Sequence, residues 1–192
     1  MLTAPMKTAF KTLVFSCLLS AGSAALAKEE TLTVFDQRHV VIAVPEGFAF
    51  SFSQDAKGIT TVLLANPAHQ IELQLAFLPD APALLVDEEQ RKGFIAKAFL
   101  PYAEGSVEKS FDFQALAPRA SAGTYVVFTD ASLVGKLPPP GQFLRVTCGI
   151  KAWPGAFVVF TLLSNETTSR DYHAALTLLR ESVQEKPASP KI

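Results

Sequence analysis

Between Ile71 and Phe77 the chain alternates without a break. Ile71, Leu73, Leu75 and Phe77 fall on one side, and Glu72, Gln74 and Ala76 on the other. A strand sends successive side chains to opposite faces, whereas a helix would scatter these four apolar residues around its circumference. The segment can therefore bury its apolar half only as a strand. A single strand leaves its peptide groups unpaired, so neighbours must exist elsewhere in the chain. Phe48, Phe50 and Phe52 against Ala49, Ser51 and Ser53 repeat the pattern, which predicts three phenylalanines on one buried face.

Further strands follow from the same period. Leu32-Thr33-Val34 and Val40-Val41-Ile42 flank the polar loop 36–39 at hairpin length, and residues 59–65 form a strand broken by Asn66-Pro67. Phe111 and Phe113 alternate with Asp112 and Gln114. Residues 124–131, 142–151 and 157–164 predict a meander, its last turn the tight Trp153-Pro154-Gly155. Two stretches change to the helical period. Asp87 opens the first, with Gln90 three residues on, Glu88 and Glu89 in the first turn, and Phe94, Ile95, Ala98 and Phe99 as the apolar stripe. Pro101 is expected to end it. Thr167, Thr168 or Ser169 caps the second, whose stripe is Tyr172, Ala175, Leu176, Leu179 and Val183. The sum is one α+β domain with a mainly antiparallel sheet and helices packed on it.

The first 27 residues stand apart. Lys7 and Lys11 precede an apolar run from Leu13 to Leu19, and Ala25-Leu26-Ala27 offers small residues to a signal peptidase. Residues 1–27 thus read as a cleavable secretory signal, 28–184 as the single domain and 185–192 as a flexible tail. The run is too short to span a bilayer. Cys17 would be the acylated residue of a lipoprotein, but Phe15 is bulky where such sites take small or aliphatic residues. The expected product is a periplasmic or secreted protein with no membrane-spanning segment. Cleavage removes two lysines, so the exported part is more acidic than the −1 of the whole chain. No basic stripe remains for nucleic acid. Cys148 is the sole cysteine left and reads as a buried, inert thiol beside Leu144, Val146 and Ile150.

The order of elements resembles the Mog1/PsbP-like fold. The likeness rests on the Pro45-Glu46-Gly47-Phe48 turn, on Gly123-Thr124-Tyr125 with the hairpin after it, and on a crossover helix, a meander and a closing helix. It implies an α/β/α sandwich over residues 31–183 and, by analogy, an assembly, stability or binding factor without enzymatic activity. Phe48 stands where that family often has Trp.

Catalytic patterns are missing. Gly-x-Ser-x-Gly and His-Glu-x-x-His do not occur, and no glycine-rich phosphate cradle is present. His39, His69 and His173 have no metal-ligand spacing, so no metal or other cofactor is expected. Two features suit recognition. Pro138, Pro139 and Pro140 stiffen a long loop that could meet a partner, and Trp153 could anchor a contact if its ring were exposed. Alternation places Phe143, Arg145 and Lys151 on the strand face opposite Cys148, a cationic ligand groove if that face is open. If it is covered, Arg145 must reach the rim or find a carboxylate. Three functions follow, in decreasing order of support: an exported non-enzymatic factor that binds an envelope protein, a small-ligand carrier using Arg145, and an enzyme of unfamiliar type.

Overall fold

The computed structural model describes residues 28–35, 38–116 and 122–186. The expected signal peptide, Cys17 and the tail from 187 onward lie outside these residues.

Among the described residues, ten strands form two sheets in which every pairing is antiparallel. The smaller sheet has the order β1 (Lys28–Thr33), β2 (His39–Val44) and β10 (Val183–Lys186). The larger runs β3 (Ala49–Gln54), β4 (Thr60–Asn66), β5 (Ile71–Asp80), β9 (Gly155–Ser164), β8 (Arg145–Trp153), β7 (Ala122–Thr129) and β6 (Gln114–Ala115). The strand from Ile71 is third of the seven, an interior strand paired along both edges. Leu73 pairs with Leu64 on one side and Leu162 on the other, and all three are buried. Each such aliphatic side chain contributes about 1.5–3 kcal/mol by leaving water.

The two faces of the large sheet carry different covers. Val62, Leu75, Phe77, Val158 and Phe160 share one core with the small sheet and with α3 (Arg170–Thr177). On the other face, α1 (Glu88–Ala98) and α2 (Leu100–Gly105) close over Val126, Phe128, Cys148 and Ile150. Asp87 caps α1 by accepting from Gln90 N at 2.9 Å, and Ser169 caps α3 by accepting from Tyr172 N at 3.2 Å. The meander β7–β8–β9 is as expected.

Several expectations need correction. Phe52 is 60% exposed, because β3 is an edge strand with a neighbour on one side only. Phe48 and Phe50 do pack on the core. The buried row of α1 is Arg91, Ile95 and Phe99, while Phe94 and Ala98 lie outward. α1 ends at Ala98, three residues before Pro101, as expected, but Pro101 itself falls in the first turn of the short α2, where its missing N–H is tolerated. Of the alternating run 111–115, only Gln114 and Ala115 pair, with Tyr125 and Thr124. Phe111 and Phe113 stack on each other instead, at 5.8 Å.

The C-terminal segment departs most. After α3 the chain makes a π-helical turn, Leu178–Ser182, and then joins the small sheet. Val183 is buried as foreseen, but from a strand paired with Ile42. Residues 185 and 186, expected in the tail, extend that pairing to Val40 and His39.

Candidate functional site

The long loop between β7 and β8 is ordered by its own residues. Leu133 is buried, Asp130 Oδ1 accepts from Ser132 N at 2.8 Å, and Gln142 N donates to the Pro139 carbonyl at 2.9 Å. Gly135 and Gly141 adopt φ of 73° and 77°, which favours glycine. This frame holds Leu137 94% exposed, beside Pro138, half-buried, and Pro139 and Pro140, exposed. Val134 and Val107 are also exposed, and the Ala131 N–H donates to the Gly105 carbonyl, tying the two segments.

Trp153 takes the other of its two readings. It is 8% exposed and packs in the core shared with the small sheet, so its ring offers no surface anchor. It lies at the far end of β8 from the proline loop, and the two form no common patch.

The groove built on Phe143, Arg145 and Lys151 does not form, because both faces of β8 are covered. Arg145 reaches Thr129 Oγ1, with Glu108 Oε1 at 3.8 Å. This is the rim position with a carboxylate that a covered sheet requires. Burial pushes the Glu108 carboxyl up, but hydrogen bonds from the Thr129 hydroxyl and N–H hold it below its ordinary value. Thr147 meets the Tyr172 hydroxyl at 2.9 Å. Lys151 is 3% exposed and donates to the carbonyls of Leu179, Arg180 and Val183 at 2.8, 3.0 and 2.8 Å. Phe143 is half-buried at the loop's end. Cys148 is fully buried on the opposite face, and desolvation pushes its thiol up.

The histidines separate in the fold. His39 meets Thr33 Oγ1 at 3.2 Å, and His173 is exposed on α3. Among the described residues, no cluster of three acidic, His or Cys side chains could hold a metal. His69 is different: its Nδ1 meets Asp171 Oδ2, with Asn66 Nδ2 at 3.4 Å. The pair joins the Pro67–His69 turn to the start of α3 and borders a cavity of about 480 Å³. Ser164, at the end of β9, lines that cavity, and its buried hydroxyl has no hydrogen-bond partner. Sequence reading missed this group. His69 and Asp171 lie 102 positions apart, and neither belongs to a motif.

A second cavity of about 300 Å³ lies beside Arg91, Phe113 and Gly123. The Arg91 guanidinium is occupied there by structural bonds, to Thr124 Oγ1 and to the carbonyls of Leu85 and Val86.

No family model matches this chain, and neither the curated proteins nor the solved structures yield a match.

Proposed function

We propose that this chain is an exported, non-enzymatic factor of the cell envelope that acts by binding another protein. The signal-like features of residues 1–27 support export, and the Mog1/PsbP-like order of elements supports a binding or assembly role. One observation carries the reading: Leu137 stands 94% exposed on a loop that is itself held in place. A leucine left in water forgoes the roughly 1.5–3 kcal/mol that burial provides. A preorganised loop returns that energy to a partner with little entropy lost on binding. The partner is a protein with an apolar recess that receives Leu137 and the adjacent prolines.

Co-purification tests this from the envelope fraction of cells producing the chain with a C-terminal tag. A specific partner recovered with the wild type, and lost with Leu137→Asp, is the expected result. Equal recovery with both chains would refute the assignment to this loop. Amino-terminal sequencing of the purified protein checks export, and Lys28 is the expected first residue.

A further inference from the structure

We infer that the cavity between the Pro67–His69 turn and the start of α3 binds a small zwitterion, its carboxylate directed to the helix end. The floor supplies the first reason. Ser164 is 2% exposed, lines the cavity, and has a hydroxyl without a partner. A hydroxyl carries one donor and two acceptor sites, and leaving it buried and unpaired is costly. A ligand oxygen would satisfy it.

The helix supplies the second. Ser169 uses its Oγ on Tyr172 N and its carbonyl on His173 N. The N–H groups of Arg170 and Asp171 precede these, in the part of the first turn that has no intrahelical acceptor. They mark the positive end of the peptide dipoles, where a carboxylate is favoured. The exposed Arg170 side chain borders the same cavity and adds a cation.

The walls are fixed before any ligand arrives. The His69 contact holds the Asp171 side chain in place at the mouth of the cavity. Asn165 ties the far wall, with Nδ2 donating to Gln70 Oε1 at 2.6 Å and Oδ1 accepting from Leu144 N at 2.9 Å. Gln70 itself is held at φ 49°. Glu166 is an exposed acidic group on the wall, suited to the cationic end of the same ligand. The volume of about 480 Å³ lies within the range of small-molecule sites. Arg170 and Glu166 together therefore select a molecule of both signs, of the size of an amino acid or short peptide.

The probes are glycylglycine, its C-terminal amide and acetate, titrated into the full exported protein and followed by amide NMR. Saturable shifts at His69, Gln70, Arg170 and Asp171 with glycylglycine are expected, with binding at least tenfold weaker for the amide and for acetate. Ser164→Ala and Arg170→Gln should each weaken glycylglycine at least fivefold. Arg170 is a surface residue, so that variant tests the site even if Ser164→Ala fails to fold. Shifts that never saturate, equal binding of the amide, or unchanged binding in Arg170→Gln would overturn the assignment. Acetate binding as tightly as glycylglycine would overturn the zwitterion.

Discussion

Lys151 on β8 donates from Nζ to the Val183 carbonyl at 2.8 Å, so one ammonium pins the last strand to the large sheet. The same group holds the Leu179 and Arg180 carbonyls at the π-helical turn. A side chain aimed at carbonyls freed near a helix end is a C-terminal cap, and it lets the chain leave α3 and pair with β2.

Burial pulls this ammonium down from 10.5 to about 8. Between those values the unfolded chain binds the proton and the folded one has released it, so stability rises with pH across the window. Lys151→Met removes the effect. Urea unfolding at pH 7 and pH 9 should show the wild type gaining about 1 kcal/mol on the variant. A constant difference between the two would contradict it.

Cys148 works in the opposite direction. Its folded thiol is pushed above 9.0, so above that pH the unfolded chain loses the proton first. Stability is then lost as pH rises. From pH 8 to pH 10 the wild type should lose stability relative to Cys148→Ala. In the native state the thiol should resist a labelling reagent until the domain opens. Rapid labelling under native conditions would exclude the buried position.

Gly149 admits no side chain. A Cβ there would stand 2.4 Å from Phe160 Cζ and 2.5 Å from the Thr124 carbonyl oxygen. The carbonyl belongs to the neighbouring strand and cannot move without opening the β7–β8 pairing. Gly149→Ala should therefore destabilise by roughly 2–3 kcal/mol or rearrange the strand. A melting temperature close to wild type would show that the strands are less tightly opposed.

Arg91 is a buried cation held by Thr124 Oγ1 and the carbonyls of Leu85 and Val86. Arg91→Leu leaves these three acceptors facing a methyl group, at a cost of roughly 2–4 kcal/mol. Arg91→Lys should recover only part of the loss, because a single ammonium cannot spread as a guanidinium does. Full recovery would mean that charge, not the forked geometry, holds α1 to the Leu84–Val86 turn.

The alternation from Ile71 to Phe77 was legible because one face of this interior strand is buried in the core shared with the small sheet, while Glu72, Gln74 and Ala76 on the other are only half-buried. The caps at Asp87 and Ser169 were legible because they are local. What was hidden depended on contacts distant in sequence. Val183 continues the spacing of Leu176 and Leu179, so a strand there reads as helix until Lys151 is placed beneath the turn. Arg91 is charged and stood outside the apolar stripe expected for this helix, although it lies one turn before Ile95 on the buried row. His69, Ser164 and Asp171 meet only because the fold brings the end of β9, the turn before β5 and the start of α3 together. Phe143, Arg145 and Lys151 do share a strand, but a shared strand does not make an open face.

Site-specific photocrosslinking at position 137 reads out whether the loop carrying Leu137 receives a protein partner. The photoreactive residue goes into the exported protein in the cells that produce it, with position 52 on β3 as the exposed control. One discrete adduct from position 137, absent from position 52 and competed away by excess unmodified protein, is the predicted result. No adduct at 137, or the same diffuse pattern from both positions, would contradict it.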